Sequence, residues 1–259
     1  MHSLWLECAG TERELLIAKL HELGTLGITE HDSAIQAFFD QPFPAHRFAK
    51  YSPSWIREPD QDWVQRSRSM WEPLEVGKRL FLVPDWRADD APPGRLRLTI
   101  HAGKASGSGY SEPTHLALEA LERHLQPGES LLDVGAGSGI LTAAGRLLGA
   151  GRLSACEIDP ETCLETRRNF AADGVPAALW TGSPRSMRAD SVDCVVANLN
   201  AVTLLALSVE LRRVTRRGGR LILSGFRDRR LSDVEAAMQP AGRIEVSESG
   251  CWRCLVLAR

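Results

Sequence analysis

The sequence predicts an α/β chain in which a doubly wound, mostly parallel sheet follows a smaller N-terminal α+β module. Three observations carry this reading. From about Thr114 onward, apolar runs of strand length alternate with segments of helical periodicity, the order that builds a parallel sheet flanked by helices. A glycine-rich turn, Gly135-Ala136-Gly137-Ser138-Gly139, stands between a strand and a helix. The composition also shifts: Trp5, Trp55, Trp63, Trp71 and Trp86 lie in the first third, with only Trp180 and Trp252 beyond it, and eight of the 14 prolines precede residue 94. Residues 1–60 are therefore expected to hold the small module and a linker, and residues 61–259 the sheet domain.

Taken in order, Ser3 to Glu7 alternate Leu4 and Leu6 with their neighbours and read as a strand. Thr11 to Leu23 places Leu15, Leu16, Leu20 and Leu23 at helical spacing and stops at Gly24. Leu26–Glu30 and Ala34–Phe39 read as strands, so the module has the order β-α-β-β. Pro42 to Pro59 reads as a semi-rigid linker and Asp60 to Trp71 as a helix. Leu80–Val83 and Leu96–Ile100 read as strands leading into the sheet domain. There, helices are expected over Thr114–Leu125 and Ile140–Leu148 and from Pro160, which suits the first position of a helix. Strands are expected at Ser130–Val134, Leu153–Ile158, Ala177–Trp180, Val192–Ala197, Arg220–Ser224 and Ile244–Glu248, the last forming an antiparallel edge hairpin with the chain that follows.

Composition removes several functions. With 43% hydrophobic and 25% charged residues, the chain of 259 residues is globular rather than disordered. Lys and Arg number 31 against 33 Asp and Glu, a net charge of −2 that does not fit a wholesale polyanion binder. No apolar run reaches membrane-spanning length and the first residues carry no secretory pattern, so a cytoplasmic protein is expected. Its six cysteines are then reduced thiols. Cys251 and Cys254 form a C-x-x-C, but residues three apart on a strand point to opposite faces and no second pair completes a zinc site, so no metal is expected.

The chemistry gathers at Leu131-Leu132-Asp133-Val134-Gly135-Ala136-Gly137-Ser138-Gly139. Glycines there allow a tight turn and close approach of backbone to a ligand. Glu157 ends the next strand, near the offset of about 20 residues at which an acid meets ribose hydroxyls. A nucleoside-containing cofactor follows. The pattern is G-x-G-x-G, with Ile140 where a dinucleotide fingerprint has its third glycine, and Asp133 adds a carboxylate that disfavours phosphates. Those features suit the ammonium and sulfonium of S-adenosyl-L-methionine, with a nicotinamide dinucleotide or a purely structural turn as the alternatives.

At these residues the chain resembles the class I S-adenosylmethionine-dependent methyltransferases, and within them the PrmA family of ribosomal large-subunit protein methyltransferases. The resemblance runs from about Asp62 to the C-terminus and implies a Rossmann-like, seven-stranded sheet. It covers three stretches. Gly103 to Leu118 is similar to a family loop of the kind G-x-A-F-G-T-G-x-H-x-T-T: Gly103, Gly107, Gly109 and Thr114 match, while Ser106, Ser108, Ser111 and Pro113 replace a phenylalanine, a threonine, a histidine and a threonine. Asp133 to Gly139 with Glu157-Ile158-Asp159-Pro160 is the second stretch, Glu157 standing where the family commonly has Asp. Val195-Val196-Ala197-Asn198-Leu199-Asn200 resembles the family's V-A-N-I-L. The resemblance implies Thr114, Asp133, Gly135, Gly137, Gly139, Glu157, Ile158 and Asn198 as cofactor-binding residues. It implies Gly107, Ser108 and Gly109 as a substrate loop, and Asn198 as the catalytic residue that accepts a hydrogen bond from an amine.

The implied function is N-methylation of a protein amine, on a lysine side chain or an α-amine, with a ribosomal protein as partner. Adenine and glutamine methylases carry N-P-P-Y at the third stretch; Leu199-Asn200 lacks that aromatic, so nucleic acid is not the expected direct substrate. The alternatives are an RNA or small-molecule methyltransferase on the same fold, and a catalytically impaired paralogue that only binds cofactor. Two residues have plainer readings: Asp159 as the cap of the helix begun by Pro160, and the run Arg212, Arg213, Arg216, Arg217, Arg220, Arg227, Arg229 and Arg230 as a solvated helix end and loop.

Overall fold

The computed structural model describes residues 2–8, 12–25, 27–57, 71–101 and 109–259. The chain divides into two compact units, Met1–Met70 and Trp71–Arg259.

In the first unit, β1 (His2–Glu7), α1 (Arg13–Glu22), β2 (Gly27–Glu30) and β3 (Ala34–Phe39) follow the expected order. The linker reading of Pro42 to Pro59 is corrected: Ala45–Tyr51 is a short 3-10 helix and Ser54–Arg57 is a further strand, β4. β4 pairs antiparallel with β1, giving the sheet order β2-β3-β1-β4. The prolines that suggest a spacer punctuate these elements rather than extend them. Leu4 and Leu6 point inward from alternate positions of β1 and meet Leu16 and Leu20 of α1 and Phe48 and Tyr51 of the 3-10 helix. The expected helix over Asp60 to Trp71 falls almost wholly outside the described residues.

The second unit opens with a three-stranded sheet, β5 (Leu74–Val76), β6 (Leu80–Pro84) and β7 (Leu96–Ile100). Its inner residues Leu80, Leu82, Leu98 and Ile100 pack on Leu116, Leu118 and Leu121 of α2 (Glu112–His124). Each fully buried leucine there contributes about 1.5–3 kcal/mol. The main sheet has seven strands: β8 (Ser130–Val134), β9 (Arg152–Glu157), β10 (Ala177–Thr181), β11 (Val192–Asn198), β12 (Thr215–Arg227), β13 (Gly242–Ser249) and β14 (Trp252–Ala258). Their spatial order is β10-β9-β8-β11-β12-β14-β13. β10, β9, β8, β11 and β12 run parallel, and β14 pairs antiparallel with both β12 and β13, so the edge hairpin is present. α3 (Ile140–Leu147), α4 (Pro160–Asp173), α5 (Ala201–Val214) and α6 (Leu231–Ala237) connect these strands. The order turns back on itself between β8 and β11, which opens a crevice at their carboxyl ends.

Among the described residues no helix is long and apolar enough to cross a membrane, and no group of His, Cys, Asp and Glu could hold a metal. All six cysteines are free; Cys251 is exposed in the turn before β14 and Cys254 is buried on that strand.

Candidate active site

The glycine turn leaves β8 at the point where the strand order reverses. Gly135, Gly137 and Gly139 have φ of +77°, +55° and +86°. At Gly135 the requirement is double, because a Cβ would also lie 2.5 Å from Leu199 Cδ2. The turn is tied down from both sides. The Gly135 and Ala136 amides donate to the Cys156 carbonyl at 2.9 and 3.1 Å. Thr166 Oγ1 donates to the Gly137 carbonyl at 2.6 Å, and Asn169 Nδ2 to the Ser138 carbonyl at 2.9 Å. Thr166 and Asn169 are one helical turn apart on α4, and no pattern in the sequence marks them as partners of a turn nearly 30 residues away.

Asp133 sits beneath the turn and corrects the expectation that its carboxylate faces a ligand. The side chain is fully buried, and Oδ2 accepts from Thr142 Oγ1 at 2.8 Å and from the Thr142 amide at 3.1 Å in the first turn of α3. Oδ1 has no hydrogen-bond partner. Burial pushes the carboxyl up to about 7, against the two bonds from Thr142.

Glu157 ends β9 and is buried. Its Oε2 accepts from the Gly137 amide at 3.1 Å, and Oε1 accepts from the Ile158 and Asp159 amides at 2.8 and 3.1 Å. A carboxylate offers about four acceptor positions, so the described residues use three and leave one on Oε2. Asp159 is the cap of α4, its side chain accepting from the Glu161 and Thr162 amides.

Glu157 lines a cavity of about 320 Å³ together with Val134, Gly135, Ile158, Pro184, Leu199 and Leu207. Ile158 is 73% exposed and forms one lip, and Val202 on the opposite lip is 70% exposed. The arrangement is a mostly apolar slot with one carboxylate in its wall, which fits a flat heterocycle attached to a hydroxylated sugar.

Asn198 ends β11 beside the crevice. Its Nδ2 donates to Thr114 Oγ1 at 3.1 Å, and Thr114 Oγ1 lies 2.8 Å from Ser111 Oγ at the start of α2. Thr114 is fully buried, so its place is behind Asn198 rather than at the cavity wall. With Nδ2 engaged, Oδ1 is the free end of the amide, and no donor among the described residues reaches it. Gly225, at the end of the neighbouring strand, makes room for this geometry: a Cβ there would stand 2.7 Å from the Leu199 amide nitrogen and 2.8 Å from Asn198 Oδ1. Sequence reasoning passes over Gly225 because it has no motif around it. Asn200 caps α5, accepting from the Thr203 amide at 2.9 Å. Of the substrate-loop residues, Gly109 is described, with φ +82° and its carbonyl 2.6 Å from His115 Nε2; Gly107 and Ser108 lie outside the described residues.

Of the residues expected in one site, the structure brings together Gly135, Glu157 and Ile158 at the cavity, with Gly137 and Gly139 in the turn behind it. Asn198 and Thr114 form a second, adjoining group held from α2.

Known proteins resemble this chain in sequence and in fold. The profile of the family described as "Ribosomal protein L11 methyltransferase (PrmA)" matches residues 45–259. A ribosomal protein L11 methyltransferase of Cupriavidus necator is 40% identical over 199 residues, 76% of this chain and 65% of its own length. One from Azotobacter vinelandii is 39% identical over 184 residues, 70% of this chain and 62% of its own length. The chain thus spans about two thirds or less of the curated relatives it matches. Among solved structures, a ribosomal protein L11 methylase from Lactobacillus delbrueckii subsp. bulgaricus superposes with a TM-score of 0.67 at 28% identity, covering 73% of this chain and 99% of that one. With the family's profile covering most of the chain and relatives of about 40% identity over most of it, the chain belongs to the PrmA family.

Proposed function

We propose that this protein is an S-adenosylmethionine-dependent methyltransferase that transfers methyl groups to amines of a protein, a ribosomal protein as in its named relatives. The observation that carries the reading is the oriented amide of Asn198, whose Nδ2 is fixed on Thr114 so that Oδ1 is left as an acceptor beside the cofactor crevice.

The cofactor fits the residues present. The apolar slot between Ile158 and Leu199 takes the adenine, and the remaining acceptor position on Glu157 Oε2 takes one ribose hydroxyl. A second hydroxyl is accommodated only in exchange for one of the amides on Oε1. The bound cofactor supplies an activated methyl on a good leaving group, so what remains for the chain is alignment. A lysine ammonium, with a reference pKa of about 10.4, must first lose a proton. Among the described residues the cavity wall holds no free base: Asp133 is sealed beneath the turn and Glu157 is engaged by three amides. Solvent therefore takes the proton, and Asn198 Oδ1 accepts an N–H of the neutral amine, which turns its lone pair toward the methyl carbon.

The test is a pair of substitutions read in two assays. Asn198→Ala removes the acceptor and Thr114→Val frees the amide to rotate. Both should lower methyl transfer at least about tenfold, the worth of one hydrogen bond of ~1.4 kcal/mol, and leave cofactor affinity within a few-fold. Equal losses in both assays would make Asn198 a cofactor or folding residue. Transfer to RNA instead of protein would overturn the substrate class.

A further inference from the structure

The arginine run identified in the sequence is not a uniformly solvated surface. Arg216 pairs with Asp193 at 2.5 Å, Arg220 with Glu129, and Arg230 with Asp233 at 3.0 Å. Arg227 stacks over the Trp252 ring. Arg212, Arg213 and Arg217 instead converge with Arg259 on a cavity of about 550 Å³, whose remaining lining is Val209, Pro240 and Ala241. Arg212 and Arg213 stand in the last turn of α5, Arg217 near the start of β12, and Arg259 directly after β14. These positions lie at the amino ends of the parallel strands, the opposite end of the sheet from the crevice that Gly135 and Glu157 line.

Two of the four guanidiniums are neutralised, Arg213 by Glu210 at 2.7 Å and Arg259 by Asp190. The other two are not. Among the described residues Arg212 is held on backbone carbonyls alone, with Nε donating to Ser208 and Nη1 to Gln239, so it is fixed in place without a carboxylate. Arg217 is exposed and has no hydrogen-bond or ion-pair partner among the described residues. Two uncompensated guanidinium forks, one of them preorganised, face one cavity of small-ligand size. Guanidinium geometry matches phosphate oxygens in a bidentate fashion. The floor is apolar and open, Val209 being 62% exposed, and it lies beside the cationic planes. A flat, uncharged group next to a phosphate uses both features, since bases stack on guanidinium planes and rest on apolar walls.

We infer that this cleft is a nucleotide-binding site for single-stranded RNA, with the phosphate on Arg212 and Arg217 and the base against Val209 and Pro240. It lies apart from the methyl-transfer crevice of the proposed function, so RNA bound there is not positioned as the methyl acceptor.

The test uses the full chain and a fluorescent oligouridylate of about 12 nucleotides, read by polarisation at about 50 and 200 mM salt. Arg217→Glu is the principal variant, because that side chain supports nothing else in the fold. It should weaken binding at least about tenfold and lower the slope of log K against log salt by about 0.7 for each phosphate no longer bound. Arg168→Glu, an exposed arginine on α4 away from the cleft, should leave binding unchanged. Inorganic phosphate should displace the RNA better than chloride at matched ionic strength. Equal effects of Arg217→Glu and Arg168→Glu would overturn the site. Displacement by an oligoglutamate peptide at the same concentration as unlabelled RNA would overturn the RNA assignment.

Discussion

Replacing Glu157 with alanine tests the proposed cofactor site and the turn at once, because on that reading the same carboxylate serves both. Toward the ligand, the substitution removes a charge-assisted hydrogen bond worth about 1.5–3 kcal/mol, and affinity should fall about tenfold or more. Toward the fold, it removes the acceptor of three amides. The Ile158 and Asp159 amides are only part-buried and can turn to water, but the Gly137 amide is bonded in a buried setting. Leaving it unpaired costs about 1–3 kcal/mol, a drop in Tm of several degrees for a unit of this size. The assay is calorimetric titration with S-adenosylmethionine and its demethylated product, well below the melting range, with a ligand-free melt alongside. Glu157→Gln separates the two effects: it keeps the side-chain length and one acceptor oxygen but loses the charge. If Glu157→Ala binds either ligand with unchanged affinity, the ribose is held elsewhere and the reading of the slot fails.

Two further outcomes are expected. Asp133 is buried with its carboxyl raised to about 7, whereas the unfolded chain releases that proton near 3.8. Between about pH 4 and pH 7 the folded state thus holds the extra proton, so this group's contribution to stability falls as pH rises through that window. Asp133→Asn should flatten the decline in Tm across it, and an unaltered profile would show that Asp133 is ionised when folded. Separately, residues 71–259 contain both apolar cores of the second unit and should fold alone. That fragment should bind cofactor within a few-fold of the full chain while losing transfer to a protein substrate; full transfer by the fragment would place substrate recognition in the catalytic unit.

The parallel strands were legible because strong signals bracket them. Ser130–Val134 is an apolar run stopped by glycine, and Pro160 with Asp159 marks a helix start that the structure keeps. Other features were hidden for physical reasons. β12 begins at Thr215, but Arg216-Arg217-Gly218-Gly219 lacks any apolar alternation, because Arg216, Arg217 and Gly218 are exposed and face no core, Arg216 pairing instead with Asp193. β4 was hidden by prolines on either side of a strand only four residues long. The direction of Asp133 could not be read from period two, since every residue of β8 is buried and both faces of a central strand are covered. The braces from Thr166 and Asn169 depend on how α4 packs against the turn, which is tertiary information.

The altered loop bears on how the proposed chemistry proceeds. Ser111 stands where the family pattern has a histidine, yet its hydroxyl lies 2.8 Å from Thr114 Oγ1, which in turn accepts from Asn198. Ser111 makes no cap bond to the helix it begins, so its hydroxyl is committed to this chain of contacts rather than to α2. Orientation of the Asn198 amide therefore needs no imidazole. On the proposed reading, that amide holds the nucleophile through an N–H. A neutral primary amine offers two such hydrogens, a monomethylated one offers one, and a dimethylated one offers none. The hydrogen bond to Asn198 thus aligns a first and a second transfer, while any third must be aligned by packing alone.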